Sequence, residues 1–71
     1  MPRRLVVNGK KARQLRSKAK LTQQIAAVRL DLSESSLRRI ESGSESVHLT
    51  TLGRVADFYG VKPEVLLRWQ R

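Results

Sequence analysis

The stretch that decides the fold reads LTQQIAAVRLDLSESSLRRIESG and covers residues 21–43. Thr22 and Ser33 are residue types that cap helix N-termini, so the pattern predicts one helix over residues 23–30 and another over residues 34–42. Because so few residues separate the two helices, the chain must turn sharply between them.

Small and apolar residues in this stretch predict that the two helices cross closely. Ala27 supplies the small side chain that a close crossing needs, and Asp31 tolerates the left-handed backbone that a sharp turn needs. Four apolar residues are spaced so that both helices share one core: Leu30, Leu32, Leu37 and Ile40. An alternative register would bury Ile25 and expose Ala27. The stretch therefore has the sequence form of a helix-turn-helix.

Further helices are predicted on both sides of this stretch. Asn8 is a candidate N-cap for a helix that ends near Lys18. His48 precedes a helix over residues 49–59, which Gly60 ends. The apolar stripe of that later helix is Leu49, Leu52, Val55, Ala56 and Tyr59.

The two ends of the chain complete the predicted architecture. Pro63 suits the first turn of a fifth helix, which runs to about Trp69. Residues 1–8 are predicted to form an N-terminal arm, in which Leu5–Val7 form a short strand if something offers them an edge. The prediction is an all-α, five-helix domain over residues 9–71.

The net charge indicates the class of partner. The chain has 71 residues, with 15 Lys and Arg against 6 Asp and Glu, a formal net charge of +9. Residues 1–30 contain nine basic residues and no acidic one, whereas residues 31–71 contain six of each. Such a block is either a solvated face or the binding surface for a polyanion, namely DNA, RNA or an anionic membrane.

Several classes of function are excluded by composition. The length allows one domain and no multi-domain enzyme. There is no cysteine for a disulfide or a cysteine-based metal site, and His48, the one histidine, cannot form a metal site alone. No nucleophile–base pair or glycine-rich phosphate loop is present, so we expect no catalysis, no cofactor and no small-molecule ligand. The apolar run Leu5–Val7 is too short for a signal peptide or a membrane span.

The helix-turn-helix stretch and the residues after it carry a resemblance to a known family. The positions that carry it are Leu21–Gln23, Ala27, Leu30–Ser33, Leu37, Ile40–Gly43, Leu52–Ala56 and Gly60–Val61. Together they resemble the helix-turn-helix domain of phage repressors and Cro proteins, which in bacteria belong to the xenobiotic-response-element (XRE) regulators. The resemblance covers residues 9–67. It implies a lambda-repressor-like fold and a cytoplasmic, nucleoid-associated protein of bacterial or phage origin.

The resemblance has departures as well as matches. Asp31 stands where the family usually has glycine in the turn, and Ala26 stands where it usually has leucine. Ile25 and Val28 stand where similar proteins place exposed polar residues. These two residues are either a patch that binds a partner protein or one buried and one isolated surface residue.

The resemblance also implies roles for individual residues. In the family, the second helix of the pair enters the major groove of DNA. The implied base-reading residues are Glu34, Ser35 and Arg39. Arginine can pair with guanine and glutamate can accept from cytosine. The implied phosphate or mixed contacts are Gln23, Ser36, Arg38, Arg13 and Lys18, with weaker contacts from Lys10, Lys11, Arg3 and Arg4. Arg16 and Glu41 match positions that form a structural ion pair.

A dimer interface is predicted near the C-terminal end. The residues predicted to form it are Phe58, Val65, Leu67 and Trp69. Other apolar residues already fill the stripe that faces the core, so the large aromatics Phe58 and Trp69 are available for an interface, where such residues are enriched. The alternative is that these residues only complete a thin core. The arm strand is a further candidate for an intersubunit contact.

Three functions follow from these observations. The first is a dimeric Cro-like repressor that binds a palindromic operator with half-sites about 34 Å apart. The second is the antitoxin of a toxin–antitoxin pair, which binds a toxin and also DNA. The third is a basic amphipathic protein that binds membranes or RNA, whose polyanion binding would survive loss of the third helix.

Overall fold

The computed structural model describes residues 3–43 and 47–70. In chain order the elements are strand β1 (Arg4–Val7), helices α1 (Gly9–Lys18), α2 (Gln23–Arg29), α3 (Glu34–Glu41) and α4 (Leu49–Tyr59), a 3-10 helix (Pro63–Leu66) and strand β2 (Leu67–Gln70). The fold is therefore mostly helical, with a small sheet at its end.

The first three helices begin at the residues that the sequence predicts. The Asn8 side chain accepts a hydrogen bond from the backbone N–H of Lys11 at 3.1 Å. Thr22 accepts from the N–H of Ile25 at 3.1 Å, and Ser33 accepts from the N–H of Ser36 at 3.0 Å. Each bond satisfies an N–H that has no partner inside its helix. These three caps are confirmed.

The predicted strand of the N-terminal arm is present, and it pairs with a second strand of the same chain. β1 pairs antiparallel with β2, so that Leu5 faces Trp69 and Val7 faces Leu67. Both Val6 and Val7 are 3% exposed, and the sheet therefore closes the core at this end of the molecule.

The predicted fifth helix is wrong. Only residues 63–66 are helical, in the tighter 3-10 form, and residues 67–70 are strand. A short isolated helix is marginal in water, because few hydrogen bonds offset the cost of nucleation. Strand β2 instead gains hydrogen bonds and apolar contacts from β1. Within the described residues, four α-helices, one 3-10 helix and a two-stranded sheet replace the five predicted helices.

The core lies between the helices and the inner side of the sheet. Its fully enclosed large side chains are Leu37, Ile40, Val55 and Leu66. Leu49 was expected to face this core, and that prediction is wrong, since Leu49 is 76% exposed. It occupies the first position of α4, beyond the stripe that Leu52 begins.

The register of α2 is the one that buries its alanines. Ala26 and Ala27 are buried, whereas Ile25 is 46% exposed and Val28 is 76% exposed. The alternative register, with Ile25 inside, is therefore wrong. The expectation that one of Ile25 and Val28 is buried is also wrong, because both face outward.

Candidate nucleic-acid interface

The turn between α2 and α3 is held by backbone geometry. Asp31 has a φ of 57°, the left-handed conformation that the sequence predicts for it. The N–H of Leu32 donates to the carbonyl of Ala27 at 2.9 Å, and the N–H of Asp31 donates to that of Val28 at 3.1 Å. These bonds satisfy carbonyls at the end of α2 and send the chain directly into α3. Residues 23–41 thus form a helix-turn-helix.

Helix α3 has one buried face and one exposed polar face. Leu37, Ile40 and Glu41 are buried. Its exposed residues are Glu34, Ser35, Arg38 and Arg39. They include all three predicted base-reading residues, Glu34, Ser35 and Arg39. On a helix, residues three or four positions apart lie close together on the surface, as Glu34 and Arg38 do. The exposed residues therefore form a continuous surface that presents hydrogen-bonding groups of both signs.

Local hydrogen bonds hold the serines at the start of α3. The Ser33 hydroxyl donates to the Ser36 hydroxyl at 3.0 Å. Ser36 is half-buried, and it lines a small cleft with Arg39 and His48. Arg38 reaches back to the Ser35 hydroxyl, with Nη2 at 3.5 Å from Oγ. Of the side chains expected at DNA, Ser36 is thus the least exposed on this helix.

A buried carboxylate ties the helices of this surface together. Glu41 is 3% exposed. Its Oε2 accepts from Arg16 Nε at 2.7 Å and its Oε1 accepts from Arg16 Nη2 at 3.1 Å. Arg16 also donates to the backbone carbonyl of Leu21 at 3.0 Å. The structure therefore has the ion pair that the resemblance implies, and it joins α1, the α1–α2 connection and α3. The hydrogen bond to Glu41 raises the pKa of Arg16 above its ordinary value.

The predicted phosphate contacts lie in different places. Gln23, at the start of α2, donates from Nε2 to Glu41 Oε1 at 3.1 Å, so the ion pair positions its side chain. Arg13 is exposed on α1 and lines a cleft beside the end of α3. Lys18, at the other end of α1, lines a depression with Arg29 and Phe58. Gln23 and Arg13 therefore flank Glu41, whereas Lys18 has separate surroundings.

The residues predicted for a dimer interface have two kinds of environment. Phe58 is 38% exposed and lies edge-on to Tyr59, with 5.1 Å between ring centroids. Trp69 is 55% exposed, and the Arg3 guanidinium lies 5.0 Å from its ring centroid. Val65 and Leu67 are half-buried.

Two further residues lie near these groups: Leu5, which belongs to the predicted arm strand, and Arg68, which the sequence analysis did not single out. Leu5 is 52% exposed and forms a cross-strand pair with Trp69. Arg68 lines the same cleft as Arg13. The signal for Arg68 was the alternation of apolar and polar residues over 67–70, which is typical of a strand.

Comparisons with known proteins agree with this geometry. A family model described as a helix-turn-helix domain, typical of XRE-like regulators, matches residues 9–69. A search of curated proteins and a search of solved structures gave no significant match. Among the described residues, no helix has the length and apolar character needed to cross a membrane.

Proposed function

Since the chain belongs to the helix-turn-helix domain family, we propose that it is a sequence-specific regulator that binds double-stranded DNA. Family membership supports DNA binding and a regulatory role. The observation that carries the finer proposal is the exposed polar face of α3, which the Asp31 turn and the Arg16–Glu41 pair hold rigidly. Rigid placement matters because base readout requires donors and acceptors fixed relative to the groove.

In this proposal α3 reads bases from the major groove. Arg39 donates to guanine, Glu34 accepts from cytosine, and Ser35 accepts or donates. All three side chains are exposed. Arg38 and Ser36 lie beside them and contact phosphates or bases.

The remaining contacts are to the sugar–phosphate backbone. Gln23, Arg13 and Lys18 bind phosphates without reading sequence. The face of α3 carries two arginines and one exposed acid, so most of the attraction to DNA comes from outside it. Each neutralised phosphate is expected to steepen the log–log salt dependence by about 0.9.

The regulator is proposed to act as a dimeric repressor. Phe58 and Trp69 are large exposed aromatics, a residue type enriched at interfaces, and Val65 and Leu67 shortly precede Trp69 in the chain. A two-fold dimer would bind a palindromic operator with half-sites about 34 Å apart. Sedimentation of Trp69→Ala and of Phe58→Ala, each separately, tests which aromatic holds the dimer. If both variants remain dimeric, neither aromatic residue holds the dimer and the proposed interface is contradicted.

Selection from a pool of random duplexes at physiological salt tests the whole proposal. A palindromic consensus would support a dimeric regulator, and absence of enrichment would contradict sequence-specific binding. On the selected site, Arg39→Ala is expected to lose about 1–3 kcal/mol of discrimination at one base position. Lys10→Ala is the matched control, since it should weaken all sequences alike.

A second candidate function is that of an antitoxin. The observation that favours it is the exposed pair Ile25 and Val28, which lie three positions apart on one side of α2. Such a pair suits contact with a protein partner. A toxin gene beside the gene for this chain would support it, provided that the toxin binds the wild type and fails to bind Ile25→Ser/Val28→Ser.

A further inference from the structure

A basic cleft lies where β2, the start of α1 and the end of α3 meet. Its volume is about 510 Å³, and three cations line it: Lys10, Arg13 and Arg68. All three side chains are exposed. Ser42 and Gly43, which directly follow α3, line the same cleft.

Backbone packing brings these three cations together. A Cβ on Gly9 would overlap the carbonyl of Glu41 and lie 2.7 Å from the backbone N of Gly43. Only glycine therefore lets the start of α1 lie against the end of α3. The N–H of Asn8 donates to the carbonyl of Leu66 at 2.7 Å, which fixes the start of β2 beside α1.

Among the residues that the structure describes, the cations that line the cleft outnumber the acids. The one described acidic residue that lines it is Glu41, which is buried and bonded to both Arg16 and Gln23. No acidic residue lies in the first turn of α1. The positive end of the α1 dipole therefore adds to the field of the three cations.

We propose that this cleft binds a phosphate of the DNA backbone, with Arg68 as a phosphate-binding residue. This inference rests on the proposed function. Helix α3 has eight residues, so it is about 12 Å long, close to the about 12 Å width of the major groove. Because α3 is about as long as the groove is wide, its C-terminal end lies near the sugar–phosphate backbone when α3 spans the groove. The cleft adjoins this C-terminal end. The guanidinium of Arg68 matches a phosphate in charge and in donor geometry.

Salt titration of duplex binding by Arg68→Gln tests the inference. Relative to wild type, we expect the log–log salt slope to decrease in magnitude by about 0.9, with weaker binding to every sequence alike. The control is Arg54→Gln, which removes the same charge from a depression lined by Asp31 and Asp57. Its slope should equal that of the wild type.

Ethylation interference locates the phosphate. Ethylation of at least one phosphate should weaken binding by wild type and leave binding by Arg68→Gln unchanged. If Arg68→Gln and Arg54→Gln have the same slope and the same interference pattern, the cleft does not bind phosphate. If the wild type itself fails to bind duplex DNA, the proposed function falls instead.

A folding control keeps the result interpretable. Circular dichroism and thermal melting should be unchanged in Arg68→Gln, since the side chain is exposed. If that variant is less stable than wild type, Arg68→Thr replaces it, because threonine favours strands. The same expected loss of slope, or its absence, then decides the question.

Discussion

The helix-turn-helix of residues 23–41 and the terminal sheet of β1 and β2 are built on different principles. In the helix-turn-helix, each helix begins at its own side-chain cap, and the turn is set by one left-handed residue. In the sheet, each strand depends on a partner about sixty residues away in the chain, as in the pairing of Val7 with Leu67. Local signals therefore specify the DNA-binding element, and distant contacts specify the scaffold beside it.

The largest expected effect is in the helix-turn-helix. Glu41→Ala removes the carboxylate that pairs with Arg16, and leaves a half-buried guanidinium without its counter-charge. Breaking a buried pair costs about 3–5 kcal/mol, which we expect as a loss in the free energy of unfolding measured in urea. Glu34→Ala, at an exposed position on the same helix, is the control. A loss below 1 kcal/mol for Glu41→Ala would mean that the pair does not hold this element together.

A comparable loss of stability is expected from a substitution in the 3-10 helix, which lies next to the sheet. Leu66 is fully buried and precedes β2 directly. Leu66→Ala is expected to lower the free energy of unfolding by about 2–5 kcal/mol, because it leaves a cavity. Leu49→Ala is the matched control. Since Leu49 is 76% exposed, its substitution should change stability by less than about 0.5 kcal/mol. Equal effects would contradict the burial of these two leucines.

A smaller effect is expected from a single helix cap. Thr22→Ala removes the acceptor for the N–H of Ile25 and should cost about 1 kcal/mol in thermal or urea unfolding. Thr50→Ala, at an exposed position of α4, should cost less. If the two threonines behave alike, local capping is not what specifies the start of α2.

The smallest effect concerns Tyr59, the one tyrosine of the chain. Burial, followed by the charge of Glu41, raises the pKa of Tyr59 above its ordinary value. Absorbance titration should therefore give a midpoint above about 10, and Tyr59→Phe should abolish that transition. A group whose pKa is raised on folding stabilises the protein below its unfolded pKa, and this stabilisation is lost as pH rises through the folded pKa. A midpoint at the ordinary value would contradict this environment.

The hydroxyl of Tyr59 provides a second readout from the same variant. Its oxygen is buried, and it has no hydrogen-bond partner among the described residues. Because an unsatisfied buried hydroxyl is unfavourable, Tyr59→Phe should be at least as stable as wild type at neutral pH. A clear loss of stability would show that this hydroxyl is bonded in solution.

Elements that depend on local contacts could be predicted from the sequence, whereas elements that depend on distant contacts could not. Asn8, Thr22, Ser33 and Asp31 act on residues within a few positions, and their roles could be predicted. The strand at residues 67–70 was not predicted, because its four alternating residues are a weak signal by themselves and its stability comes from the pairing with β1. The outward position of Ile25 likewise depends on how α2 packs on the rest of the fold. In this packing the smaller side chains of Ala26 and Ala27 are buried and Ile25 is exposed. The DNA contacts proposed on α3 come from the family resemblance, whereas the proposal for Arg68 required the position of β2.

The pairing of Arg4 with Gln70 has a practical consequence for experiments on this protein. Because the strands are antiparallel, anything fused before residue 3 or after residue 70 would emerge beside the sheet. The basic cleft of Lys10, Arg13 and Arg68 is lined by Val7 at the other end of β1, about 10 Å away along the strand, which a flexible tag can reach. An acidic tag would compete with phosphate there, and a polyhistidine tag would add positive charge. Binding constants should therefore be measured on the untagged chain.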